Sequence, residues 1–296
     1  MKHRSILLLV ACAAILALAG CSRQVSPAYE FTGGTVTSYQ FHIAQHHSFK
    51  DPQAPGKENS LRFGGIMDLT SKARGSAASS GLTGTFRNLK IEMDQNTSKV
   101  STAGAGITFL MDTRGTIRDF TLQGTIPMQQ QLFFNSIQQT LQEVFPVMPA
   151  GGIKPGHTWS QEFMASHDAP PMGTMYTRTK ASYTLKKIRK VGSANIMDIA
   201  VSYSYRLGDK NGGEIKTLTP GGGDIAMYGD GDGDGTIWFD LKAKRMDSAD
   251  ITTRITSHIS VLRKDAQKEM QQTATSRVVF RAGERPALKP PAMPES

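Results

Sequence analysis

Aspartates at alternate positions, Asp230, Asp232 and Asp234, separated by Gly231, Gly233 and Gly235, are the residues most clearly spaced for chemistry. Hard cations such as calcium take several oxygen ligands, and carboxylates at every second position of a tight loop converge on one point. The spacing predicts a weak structural calcium held by Asp230, Asp232, Asp234 and the Thr236 carbonyl. Ile237 falls where a calcium loop places its apolar residue. Leu241, however, occupies the place of the bidentate glutamate, and Asp240 sits one residue early. The same residues also make a Gly-rich hairpin turn, because Asp is soluble and tolerates positive φ. Both readings stay open at this stage.

The histidines offer less. On a strand, His42 and His46 share a face and His47 points away, which gives two ligands where zinc prefers three or four. They read as surface histidines on an exposed loop edge. His157, His167 and His258 are scattered. No Gly-x-Ser-x-Gly elbow supplies a nucleophile, and Gly221, Gly222 and Gly223 lack the lysine and following helix of a phosphate loop. No catalytic residue is assigned, and the expectation is a chain that is not an enzyme.

The elements that must position these residues are mostly strands. Tyr39, Phe41 and Ile43 alternate with polar neighbours, as do Leu61, Phe63, Met67 and Leu69, then Leu89, Ile91 and Met93, then Ile107, Phe109 and Met111. Period two means half-buried strands, and the turn at Asp112 to Gly115 makes this half an antiparallel meander. Between Pro127 and Phe145 the period changes, because Phe133, Ile137, Leu141 and Phe145 recur every fourth residue along one helical face. Pro127 suits a first turn and Pro146 enforces a stop. A helix at about 127 to 145 follows, its apolar stripe lining either a packed core or a ligand pocket. Strands then resume at 174 to 189, 199 to 207, 224 to 229, 235 to 242 and 251 to 261, with a last one ending at Phe280. The fold class expected is mainly β, a curved antiparallel sheet or incomplete β-barrel with one packing helix. Residues 31 to 282 are expected to form one β-rich domain; the hairpins Gly106 to Phe120 and Gly235 to Asp250 echo one another, which fits either two similar halves, about 31 to 145 and 146 to 282, or the general likeness of hairpins.

The ends are of another kind. Lys2, His3 and Arg4 precede an apolar run from Ile6 to Leu18, too short to span a bilayer, which needs about 20 apolar residues. Charged, apolar and small-residue zones in that order mark residues 1 to 20 as a signal peptide. Leu18, Ala19, Gly20 and Cys21 resemble the lipobox of bacterial lipoproteins. That resemblance implies acylation of the Cys21 thiol and anchoring of the chain to a membrane through residues 21 to 30 as a lipidated tether. Cys12 lies within the leader, so Cys21 would be alone and no disulfide forms. Ser22, where an aspartate would favour inner-membrane retention, implies the periplasmic face of the outer membrane. Residues 283 to 296, with Pro286, Pro290, Pro291 and Pro294, read as a disordered or extended tail.

The formal charge of +9 falls by two without Lys2 and Arg4. Arg178, Lys180, Lys186, Lys187, Arg189 and Lys190 form the densest basic stretch, more typical of a solvated strand face than of a binding patch. No nucleic-acid reader motif accompanies it. After the helix, the run Pro149 to Trp159 is similar to one found in uncharacterised β-rich bacterial envelope lipoproteins. The overall architecture resembles the incomplete barrel of lipoprotein carriers. Together these imply a non-enzymatic envelope lipoprotein that binds an apolar ligand or a protein partner in the periplasm. The alternatives are an envelope assembly factor using its tail and basic face, and a hydrolase with a dispersed site.

Overall fold

The structure, a computed structural model, describes residues 24–51, 54–72, 79–93, 96–99, 106–124, 128–168, 173–218, 224–263 and 266–283. The leader, Cys21, Pro127 and the tail from residue 284 lie outside the described residues. Strands β1 (Val36–Asp51), β2 (Ala54–Ser71), β3 (Ser79–Met93), β4 (Asn96–Lys99), β5 (Gly106–Asp112) and β6 (Ile117–Gln123) precede helix α1 (Met128–Val144). After it come β7 (Thr158–Asp168), β8 (Thr174–Val191), β9 (Ala194–Gly208), β10 (Ile215–Leu218), β11 (Asp224–Asp240), β12 (Arg245–Arg263) and β13 (Ala266–Ala282).

All these strands join one 13-stranded sheet in the order β6-β5-β3-β2-β1-β13-β12-β11-β9-β8-β7, with β4 beside β3 and β10 beside β11. With the short β4 and β10 set aside, successive strands within each half are neighbours in the sheet, so both halves are meanders. The first and last long strands close the seam between them, Phe41 facing Phe280 and Ile43 facing Val278. The sheet remains open between β6 and β7, and the connection between those two edges is α1. The expected mainly-β architecture with one packing helix is therefore the observed one. Counted from β1 and from β7, the hairpins β5–β6 and β11–β12 occupy the same fifth and sixth places.

Alternation along the strands puts the apolar rows on one face, where they merge into a single core. In β8 the residues from Thr177 to Leu185 alternate buried and outward-facing, which leaves Arg178 and Lys180 exposed on the opposite face. That opposite face is laced with ion pairs. Arg87 donates to Asp68 at 2.6 Å and Arg277 to Asp250 at 2.9 Å.

Curvature has visible causes. Register shifts interrupt pairing at Gly64/Ile66, Leu185/Lys187 and Trp238/Phe239, and such bulges bend a strand and raise its twist. The glycine row of β11 corrects the expectation of a loop at residues 230 to 235. Asp224–Asp240 is one continuous strand, paired with β12 on one side and β9 on the other. A Cβ added at Gly229 or Gly233 would meet the Thr256 carbonyl oxygen at 2.7 Å or that of Thr252 at 2.8 Å, and one at Gly231 or Gly235 would come closer still to those of Arg254 and Asp250. These glycines leave the room that lets the β12 backbone lie close against β11 on the inner side.

Residues 24 to 30, expected to belong to a polar tether, are instead built into the fold. Val25 pairs with Ile153 through both backbone hydrogen bonds, at 2.9 and 2.7 Å. The Tyr29 ring is buried at the base of the core, 5.1 Å edge-on from Phe239, and its hydroxyl donates to the Pro146 carbonyl. Gly115, at φ +97°, leaves the room that this ring fills. Burial of an aromatic ring of this size is strongly favourable, which accounts for the segment joining the fold.

Candidate functional site

Helix α1 lies across the concave face, with Ile137, Leu141, Val144 and Phe145 fully buried. The expected stripe therefore faces the sheet. Its first member, Phe133, has a side chain outside the described residues, and Phe134 is buried against Phe86 at 5.4 Å, ring edge to face. Phe145 lies one residue past the helix, its N–H still bonded to Leu141 O, and Pro146 then breaks the ladder.

One carboxyl is buried with this apolar face. Glu143, the sole charged residue of α1, accepts hydrogen bonds at Oε1 from the Tyr205 hydroxyl at 3.0 Å and from Gln139 Nε2 at 2.8 Å. Its backbone carbonyl, left without a helical partner near the C-terminus, accepts from the Tyr203 hydroxyl at 2.8 Å. Burial pushes the Glu143 carboxyl up to about 7, against the opposing pull of those two side-chain hydrogen bonds. Burial likewise holds the Tyr183, Tyr203 and Tyr205 hydroxyls well above their ordinary range, so they stay protonated donors.

The sheet half of this cluster comes from strict alternation. Tyr203 and Tyr205 are two residues apart on β9, opposite Ala181 and Thr179 of β8, whose Tyr183 stacks on Trp159 at 5.3 Å. The proline-glycine turn before β7 sets that tryptophan: Gly156 has φ +89°, and Trp159 Nε1 donates to Val147 O at 2.8 Å. Among the described residues, four buried oxygens on α1, β7 and β8 have no hydrogen-bond partner: Gln142 Oε1, Gln161 Oε1, Thr179 Oγ1 and the Tyr183 hydroxyl. An unpaired buried polar atom costs about 1–3 kcal/mol. Their concentration around Glu143 makes this the place where a guest with a hydrogen-bonding group would gain most.

The sequence-based candidates fare differently. Asp230, Asp232 and Asp234 stand exposed on the outer face of β11. Alternate residues of a strand are about 7 Å apart, so these three carboxylates and the Thr236 carbonyl spread along the strand and do not converge as a calcium loop requires. Among the described residues no cluster of three or more His, Cys, Asp or Glu could hold a metal. His42, His46 and His47 lie within β1, a strand at the middle of the sheet and not on a loop edge. His46 faces Glu58 at 3.9 Å, and His47 meets Gln272 Nε2 at 3.2 Å. His157 sits near Trp159, and His258 stacks on Tyr228 at 4.9 Å, far along another strand. The side chain of His167 lies outside the described residues.

Sequence reasoning missed Glu143, Thr179, Tyr183, Tyr203 and Tyr205 as a group. The available signal was one acid in a helix otherwise decorated with glutamine, and tyrosines at apolar positions of β9.

No known protein family matches the chain, and no curated protein matches it. Among solved structures it is similar to lipovitellin, from a study of lipid-protein interactions, at 14% identity and a TM-score of 0.45. That match covers 90% of this chain and 27% of the other, so the chain spans about a quarter of lipovitellin's length. The COG4313 outer membrane channel from Pseudomonas putida F1 aligns over 86% of this chain and 97% of its own, at 8% identity and a TM-score of 0.20. OccK2 from Pseudomonas aeruginosa aligns over 87% and 100%, at 6% identity and a TM-score of 0.22. At these values the likenesses go no further than β-rich structure.

Proposed function

We propose that the chain is a non-enzymatic lipoprotein of the cell envelope that holds an apolar ligand with one hydrogen-bonding group between α1 and the concave face of the sheet. The observation that carries this reading is the set of unpartnered buried oxygens around Glu143, enclosed by apolar side chains beneath a single helix. Apolar walls with a few convergent polar groups are the usual chemistry of a small-molecule site. α1 is one layer of about 25 Å lying across strands of up to 19 residues, so shifting it exposes the cluster without breaking the sheet. Acyl groups on Cys21 anchor the body to the membrane, on the periplasmic face of the outer membrane as Ser22 favours.

The test is mass spectrometry of the protein after gentle extraction, paired with fluorescence. The expected result is a mass beginning at Cys21 with added acyl groups, together with one released lipid. In a Trp238→Phe chain, Trp159 is the remaining tryptophan. It lies against Tyr183, so its emission should shift on titration with a short-chain phospholipid and saturate near one equivalent. A chain that releases no lipid and leaves Trp159 unresponsive has a dry, packed interior, and the ligand reading fails.

A further inference from the structure

We propose that the end of the half-barrel from which Gln24 emerges is a second binding surface, one that takes the headgroups of an anionic lipid leaflet. The elements meeting there are fixed by backbone contacts. Val25 pairs with Ile153, Leu241 N donates to Asn195 O at 2.9 Å, Gly156 N to Leu185 O at 2.8 Å, and Glu30 N to Lys244 O at 3.1 Å. They surround a groove of about 540 Å³ whose apolar lining is Val25, Pro155, Ile188 and Leu241. The rim is basic. Asp198 takes Lys187 at 3.6 Å and Arg189 at 2.8 Å, and Glu30 takes Lys244. Lys154, Lys186, Lys190 and Lys242 remain exposed there. At the tip of β8–β9, next to Lys190, Val191 is 47% exposed.

At the opposite end two lysines are neutralised, Asp51 taking Lys268 at 2.7 Å and Glu214 taking Lys216 at 3.3 Å, while Lys57 and Lys210 stand exposed as single charges and not as a rim around an apolar groove. Cys21 precedes Gln24 by three residues, a reach of about 10 Å. A lipid on that cysteine therefore enters the bilayer close to this rim. Lysines around an apolar groove and a protruding valine suit the boundary between headgroups and acyl chains, and each lysine close to an anionic surface strengthens binding about fivefold. The inference takes its orientation from the anchoring reading but not its binding energy, which belongs to the face itself.

The test uses residues 21 to 296 with Cys21→Ser, which retains every described contact and carries no acyl chain. Vesicles of phosphatidylglycerol and phosphatidylethanolamine should sediment it, and vesicles of phosphatidylcholine should not. Binding should weaken with salt and fall at least tenfold in Lys186→Glu/Lys190→Glu, while Lys57→Glu/Lys210→Glu at the far end leaves it unchanged. Far-UV circular dichroism confirms that each variant is folded. Equal binding to both vesicle types, or equal loss from the far-end pair, overturns the inference. Because acylation is absent here and is read separately by mass, a missing anchor in cells would not be mistaken for a missing surface.

Discussion

At the scale of single residues, Glu143 gives the sharpest expectation. Its carboxyl ionises at its ordinary value of 4.5 in the unfolded chain and at about 7 when folded, because burial opposes the charge. Between those values the folded state binds more protons than the unfolded one, so stability falls as pH rises from about 4.5 to about 7 and then levels. A shift of that size corresponds to about 3 kcal/mol at pH 8. Glu143→Gln keeps an acceptor for Tyr205 and Gln139 and removes the ionisation. Its urea midpoint should match that of the parent near pH 4.5 and exceed it at pH 8. Parallel pH profiles for the two chains would show that Glu143 is not the buried acid. Neither this role nor the neighbouring tyrosines could be read from spacing, since Glu143 and its two tyrosine donors are about sixty residues apart in the chain.

Elements divide into those that local pattern specifies and those that it misplaces. The helix was legible because Ile137, Leu141 and Phe145 repeat at helical spacing between prolines, and the last strands were legible from alternation. β11 was not, because Gly-Asp repeats have the composition of a turn and only pairing on both sides with β9 and β12 makes them a strand. The glycines matter on the inner face, and the aspartates are solvent-facing. Gly231→Ala should therefore destabilise the fold by about 1–3 kcal/mol, as overpacking does, because its Cβ would press on the Arg254 carbonyl. Asp232→Asn should change stability by no more than about 0.5 kcal/mol. A comparison of thermal midpoints decides the matter, and equal effects at the two positions would show that the close β11–β12 approach does not depend on the glycine row.

The whole molecule depends on a seam between residues distant in sequence. β1 and β13 join the two meanders, and Phe41 stacks on Phe280 across that seam at 5.6 Å. Phe280→Ala should cost about 3–5 kcal/mol. Unfolding followed by tryptophan fluorescence, which reports the second half through Trp159 and Trp238, should coincide with unfolding followed by circular dichroism. Separate transitions would mean that the halves fold alone. The sequence by itself determined which residues face inward along the alternating strands and the helical stripe, because period two and period 3.6 follow from backbone geometry. It also determined the β-rich class and the helix that ends before Pro146. Only the tertiary structure decided that β1 meets β13, that the helix joins the two open edges, that Tyr29 belongs to the core and that Val25 packs against it. It alone brought Glu143 to Tyr203 and Tyr205. Those are contacts between residues far apart in the chain, set by how the curved sheet packs, and no local period encodes them.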